Sequence, residues 1–235
     1  MKPKVLLFDI ETAPNLAYVW GKYEQDVIAF KEEWHLLSFS YKWLGESEIH
    51  CVTMQGQKTD RQLAQKLRDL FDKADVVIAH NGDAFDIKKA RARFAFHGLK
   101  PPSTFATVDT LKITRKYFNL NSCKLNDLGL YFKLGEKVKH TGFDLWLGCL
   151  QNRADSWRLL EKYNKQDVVL LEKVYKKLLP WMERHPNMAL LSDRKGCPKC
   201  GSVKVVKDGV RANSMALQQQ WKCRSCKGYF LTRRK

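Results

Sequence analysis

Two carboxylates, Asp9 and Glu11, follow the short apolar run Val5-Leu6-Leu7-Phe8, with Ile10 between them. Residues two apart on a strand point to the same face, so this spacing sets two acids side by side at the end of a buried strand. Like charges that close raise each other's pKa unless a cation lies between them. Oxygen ligands of this kind suit Mg²⁺ or Mn²⁺. A solvated strand end with two ordinary acids is the other reading of the same residues. Two later segments also carry acids. Asn81-x-x-x-Phe85-Asp86 lies where a short apolar run turns into a helical pattern. Asp86 falls in the first helical turn, where the dipole favours an anion, and Asp83 is the choice for the cap. Tyr163 and Asp167 stand four apart on a late helical segment and share a face. Taken singly, a helix-start acid and a solvated helix face explain these two.

A second chemistry sits at the other end of the chain. Cys197-Pro-Lys-Cys200 and Cys223-Arg-Ser-Cys226 are two Cys-x-x-Cys knuckles with 22 residues between them. This is the spacing of a structural four-cysteine zinc site, a zinc ribbon. A segment of about 40 residues buries too little core to fold readily without such a staple. Residues 203–206, 218–222 and 229–232 are its expected strands. The cysteine count of seven is odd, with Cys51, Cys123 and Cys149 scattered. That usage fits a reducing compartment with one metal site rather than a disulfide scaffold, and hence the cytoplasm.

The net charge of +17 is unevenly spread: from Arg194 onward there are 12 Lys/Arg against Asp208 alone. A tail so basic on a mildly basic body points to a polyanionic partner, most simply nucleic acid. Trp221, Tyr229 and Phe230 lie among Lys222, Arg224, Lys227, Arg233 and Arg234. The aromatics could stack on bases while the cations, Lys222 and Arg224 first among them, follow phosphates. They could equally be the ribbon's small core, and a protein-docking role is the third option. No apolar stretch approaches the ~20 residues a membrane helix needs, and the start of the chain runs straight into a strand with no signal peptide. Oligomeric state is not written in any motif.

The elements that must position these groups follow from periodicity. Residues 12–31 read as a loop or partly helical excursion, and 34–43 as a strand. Residues 48–54 form its antiparallel partner across Gly45-Glu46-Ser47. A helix begins at Thr59, with Leu63, Leu67, Leu70 and Phe71 at helical spacing. A short strand at 75–79, a helix at 84–97, a break at Pro101-Pro102 and a strand at 107–109 come next. The chain is then helical, apart from an irregular stretch at 133–152. Asp155 or Ser156 caps a final long helix that ends near Pro180. This order implies an α/β domain with a mixed sheet. The composition shift near Ser192 divides the chain into 1–192 and 193–235.

Asp-x-Glu on a first strand, Asn-x-x-x-Phe-Asp at a mid-chain helix start and Tyr-x-x-x-Asp on a late helix occur here in that order. Together they resemble the DnaQ-like 3′–5′ exonuclease superfamily in its tyrosine-containing (DEDDy) branch. Within it, the closest likeness is to stand-alone relatives of the proofreading domain of family-B DNA polymerases. The resemblance covers roughly residues 1–185 and implies a ribonuclease-H-like fold. It assigns Asp9, Glu11, Asp86 and Asp167 to two divalent ions and Tyr163 to orienting the attacking water. Thr12 would lie near the terminal nucleotide, and Asn81 and Phe85 would support the second motif. A phenol is a poor general base at neutral pH, so Tyr163 is expected to hydrogen-bond the water while the metal activates it. His140 is the rival for a catalytic role, although a loop histidine explains it as well. Lys133, Lys137 and Lys139 beside it are expected to touch phosphates. The implied activity is 3′–5′ exonucleolytic, with DNA preferred over RNA. A structure-specific endonuclease or nickase at the same metals, and a non-catalytic nucleic-acid-binding protein on a nuclease scaffold, are the alternatives.

Overall fold

The computed structural model describes residues 2–23, 26–139, 141–212 and 214–233. In chain order the elements are β1 (Val5–Thr12), β2 (Leu16–Tyr18), β3 (Ala29–Glu32), β4 (Leu36–Trp43), β5 (His50–Thr53), α1 (Arg61–Lys73), β6 (Val76–Ala79), α2 (Asp86–Phe96), β7 (Ala106–Asp109), α3 (Thr110–Tyr117), α4 (Leu125–Tyr131), α5 (Phe143–Leu150), α6 (Ala154–Leu178), α7 (Met188–Leu191), β8 (Val205–Ala212), β9 (Leu217–Cys223) and β10 (Tyr229–Arg233). The main sheet has the order β5-β4-β1-β6-β7, with β1 at its centre. β1 runs antiparallel to β4 and parallel to β6, and β6 runs parallel to β7. The mixed sheet expected from the element order is the one observed.

The two-residue period of β1 sorts its side chains into two cores. Leu6, Phe8 and Ile10 pack with Leu63, Leu67 and Phe71 of α1 and Ile87, Ala90 and Phe94 of α2. Val5 and Leu7 pack on the opposite face with Val168, Leu171, Val174 and Tyr175 of α6. Asp9 and Glu11 continue the second row, so strand geometry alone turns both acids towards α6. A third, smaller cluster joins Leu37 of β4 to Leu145, Cys149, Trp157 and Leu160, fixing α5 against the first half of α6.

Local departures from the sequence expectations have definite causes. Residues 16–32 hold the two-stranded β2–β3 hairpin. Both of its faces meet solvent, so no alternation marks its strands. Residues 143–150 of the stretch expected to be irregular form α5, entered through Gly142 at φ 67°, a conformation that favours glycine. Asp83 does not cap α2. Phe85 occupies that position, and Asp83 pairs instead with Lys112 at 2.7 Å. Neither Asp155 nor Ser156 caps α6, which starts at Ala154 with Arg153 at its N-cap position and Asp155 bonded to Arg158 within the first turn.

The cysteine knuckles lie against the main core. Cys200 and Cys226 pack on the cluster that contains Tyr175, Leu178, Leu179, Met182 and Met188. Lys199, 6% exposed, donates from Nζ to the Pro180 carbonyl at 2.6 Å, and Met188 N donates to the Pro198 carbonyl at 2.8 Å. β8 and β9, which lie between the two knuckles, and β10, which follows the second, form a three-stranded antiparallel sheet. Its first strand is longer than the sequence pattern indicated.

Candidate active site

Four acids from three elements converge at the end of β1. Asp9 and Glu11 come from the strand itself. Asp167 comes from α6 and Asp86 from the first turn of α2. Asp9, Glu11 and Asp167 each offer an oxygen within 4.8 Å of the others. Asp86 lies alongside and accepts from the Ile10 amide at 3.3 Å through Oδ1. Asp9 is the hub: burial first, then Asp86, Glu11 and Asp167 in that order, hold its carboxyl well above the usual range. Glu11 is pushed up to about 8, by burial and then by Asp167. Burial raises Asp86 to about 7, against the opposing hydrogen bond from Ile10. Three carboxyls that resist ionisation, with Asp167 against Asp9 and Glu11, favour a multivalent cation among them.

The donor set fits such ions. Three carboxylate oxygens in one cluster suit one hard cation, and Asp86 adds its charge beside Asp9. The cysteines fit zinc equally well. The Sγ atoms of Cys197 and Cys226 are 3.7 Å apart and those of Cys200 and Cys223 are 3.6 Å apart. The edge of a tetrahedron with Zn–S bonds of about 2.3 Å is about 3.8 Å.

Three residues complete the acidic site that motif reading passed over or placed differently. Asn164, fully buried on α6, donates from Nδ2 to Asp9 Oδ2 at 2.6 Å and accepts from Ser38 Oγ at 3.1 Å. Its position, one residue after Tyr163 and three before Asp167, puts it on the same helical face, and this was the available signal. Trp146 on α5 donates from Nε1 to Glu11 Oε2 at 3.2 Å. Nothing in the sequence announced it, because α5 was not expected. Lys137, assigned to phosphate contact from sequence, donates to Asp167 Oδ2 at 2.5 Å and to the Tyr163 hydroxyl at 3.1 Å. Burial opposes its charge, but Asp167 and then Tyr163 hold its pKa above the ordinary lysine value.

Tyr163 is buried beside this group, with its ring edge-on to Trp146 at 6.3 Å. Burial and then Asp167 push its phenol above the ordinary value, so it stays protonated at neutral pH. A hydroxyl that accepts from an ammonium keeps its own proton as a donor.

The remaining expected residues sit around the rim. Thr12 ends β1, half-buried, at a register shift. Asn81 takes φ 68°, and its amide donates to Asp109 Oδ1 at 2.9 Å. Asp109 also accepts from Asp83 N and from Leu111 N at the start of α3, so it shapes the turn that leads into Asp86. Phe85 is 41% exposed, with Lys89 Nζ 5.7 Å over its ring. Lys222 and Arg224 lie on the ribbon, away from the acids in sequence and sheet. Lys222 Nζ sits 5.6 Å over the Tyr229 ring, while Trp221 stacks on Phe230 at 6.4 Å. His140 and Arg234 lie outside the described residues.

Among the described residues, no helix is long and apolar enough to cross a membrane. No curated protein matches the chain by sequence. Among solved structures, the chain is similar to the family B DNA polymerase from the hyperthermophilic archaeon Pyrobaculum calidifontis. The TM-score is 0.59 at 18% identity, over 80% of this chain and 25% of the polymerase. The chain thus spans about a quarter of that protein's length, and the likeness is one of fold. The family model of the RNase H superfamily matches residues 6–179, which begin in β1, end just past α6 and include all four acids. The mixed sheet, its flanking helices and this match give one conclusion: the chain belongs to the RNase H superfamily.

Proposed function

We propose that the protein is a metal-dependent nuclease that removes nucleotides from the 3′ end of DNA, with a basic zinc ribbon gripping the strand. The observation that carries this reading is the meeting of Asp9, Glu11 and Asp167 within 4.8 Å, with Asp86 beside Asp9. Such a group has no structural use, because each buried carboxyl works against the others. Asp9, Glu11, Asp86 and Asp167 would hold two divalent ions, Mg²⁺ or Mn²⁺. Bound there, the ions would lower the pKa of water and neutralise charge at the attacked phosphate.

The chain's own residues divide the remaining work. Asn164 fixes the Asp9 carboxylate by its Nδ2 bond, and Trp146 fixes Glu11. Tyr163 orients a water through its hydroxyl and does not take the proton, since its phenol is held above the ordinary value. Lys137 places one positive charge beside Asp167 and positions the phenol. Thr12, Asn81 and Phe85 line the approach to the terminal nucleotide. Lys222 and Arg224 contact phosphates at a distance from the cut.

The experiment is a panel of 5′- and 3′-labelled single-stranded DNA, duplex DNA, circular DNA and RNA, with Mg²⁺, Mn²⁺ or no added dication. Stepwise shortening from the 3′ end, faster on DNA and dependent on the added metal, is expected. Cleavage of the circle would move the assignment to an endonuclease. Activity unchanged without dication would remove the two-ion reading.

A further inference from the structure

The β2–β3 hairpin leaves the body immediately after the strand that carries Asp9 and Glu11. Its base is tied down on both sides. Ala13 N donates to the His35 carbonyl at 2.9 Å, and Trp34 N donates to Asn15 Oδ1 at 2.8 Å. Trp34 is tied in turn to α2, the helix that opens with Asp86: Lys89 Nζ stands 3.5 Å over the Trp34 ring. The hairpin is therefore held between two of the elements that supply the acids.

Its surface is unusual for an exposed ribbon. Trp20 and Tyr23 near the turn are each 86% exposed, and Tyr18 and Phe30 on the strands are more than half exposed. An apolar surface of this kind, rigidly based and open to solvent, marks an interaction site. The charge decides what binds there. The described part of the segment carries Asp26, Glu32 and Glu33 against Lys22 and Lys31. On a protein of net charge +17 this patch is close to neutral, with Lys22 Nζ 5.8 Å over the Tyr23 ring, so cations are a minor part of it. Flat, exposed aromatic faces with so little net charge around them suit the stacking face of an unpaired base.

We infer that the β2–β3 hairpin is a stacking arm for unpaired bases, with Trp20 and Tyr23 as its contact residues, and that it selects single-stranded over fully paired nucleic acid beside the acidic site. The nature of the ligand rests on the nuclease reading above. The binding is base-directed: it adds affinity without adding salt dependence, the opposite of what the basic ribbon does.

The test uses the full chain in Mg²⁺-free buffer and fluorescein-labelled oligothymidylate, with a blunt self-complementary duplex as the second probe. Anisotropy titrations over a salt series compare wild type with Trp20→Ser/Tyr23→Ser and with Trp20→Phe/Tyr23→Phe. Both side chains are almost fully exposed, so the fold should tolerate either pair. The serine pair should weaken oligothymidylate binding at least about tenfold. The slope of log affinity against log salt should not change, because no cation is removed. The phenylalanine pair keeps a ring at each position and should bind within about twofold of wild type. Duplex affinity should be the same in all three.

Unchanged oligothymidylate affinity in the serine pair overturns the inference. So does an equal loss on the duplex, or a loss as large in the phenylalanine pair. A wild-type dimer that the serine pair converts to monomer, with affinity intact, would assign the arm to a second copy of the chain and overturn it too. The two readings fail separately. If the chain is not a nuclease, oligothymidylate is bound but not cut when Mg²⁺ is added, and the serine pair still loses affinity. If the arm does not stack, the serine pair binds and cuts as wild type does.

Discussion

Replacing Glu11 by Gln, an isosteric change that removes one charge from the acidic group, has a pH-dependent sign. In the fold the Glu11 carboxyl rises from 4.5 to about 8. At about 1.36 kcal/mol for each tenfold step in acidity, that corresponds to roughly 5 kcal/mol as an upper bound. The cost is shared with Asp9 and Asp167, so removing Glu11 alone should return about 2–4 kcal/mol. The sign follows from linkage. A carboxyl whose pKa is raised by folding binds its proton more tightly in the folded state. Its contribution to stability is full below about pH 4.5 and is lost as pH rises through about 8. Zinc-loaded protein dialysed free of Mg²⁺ should therefore be more stable at pH 5 than at pH 9. Glu11→Gln should match wild type near pH 5, where both side chains are neutral and both accept from Trp146 Nε1. At pH 9 it should exceed wild type by about 2–4 kcal/mol. Urea unfolding at the two pH values measures this. Saturating Mg²⁺ should stabilise wild type by about 3 kcal/mol at a hundred times its Kd, and should stabilise Glu11→Gln less. A variant no more stable than wild type at pH 9, or equally favoured at both pH values, would refute the electrostatic account of the site.

Tyr163→Phe removes the hydroxyl that Lys137 contacts. Turnover should fall about 10²-fold or more while substrate affinity stays near normal, as read by single-turnover kinetics and binding in Mg²⁺-free buffer. Asn164→Ala leaves Asp9 without its 2.6 Å donor inside a buried contact. It should cost about 1–3 kcal/mol of stability by urea unfolding and should raise the Mg²⁺ concentration needed for half-maximal cleavage. Cys197→Ser should lower the thermal midpoint of the whole chain rather than melt the ribbon alone, because Cys200 and Cys226 pack on the core cluster that includes Tyr175, Met182 and Met188. A separate ribbon transition with the main transition unmoved, seen by calorimetry, would contradict this.

The acids were legible in the sequence because strand and helix periods fix where they point. Asp9 and Glu11 extend the row of Val5 and Leu7, and Asp167 sits four residues after Tyr163 on the inward stripe of α6. The partners that hold those acids were less legible. Asn164 shares the stripe, yet an amide among apolar positions announces its partner only when β4 brings Ser38 opposite. Trp146 depends on α5, a two-turn helix with no side-chain cap, too short for periodicity to reveal. Lys137 looked like a surface cation because the bend that brings it over Tyr163 leaves no local pattern. The β2–β3 hairpin escaped for a related reason: strands exposed on both faces show no alternation. The zinc knuckles were read directly from their spacing. Their burial against the end of α6 was not, since it rests on contacts such as Lys199 to the Pro180 carbonyl.

The central claim is that Asp9, Glu11, Asp86 and Asp167 act as one metal-holding group that cleaves a 3′ end. The most direct measurement is release of a labelled 3′-terminal nucleotide under single-turnover conditions, by wild type and by Asp167→Asn, across a Mg²⁺ titration. Asp167 bridges Lys137 and the Asp9–Glu11 pair, and its isosteric amide preserves the packing of α6. Wild type should release the labelled mononucleotide with a rate that saturates in Mg²⁺, and Asp167→Asn should be slower by about 10³-fold or more with its circular dichroism unchanged. Equal rates in the two proteins at every Mg²⁺ concentration would contradict the claim.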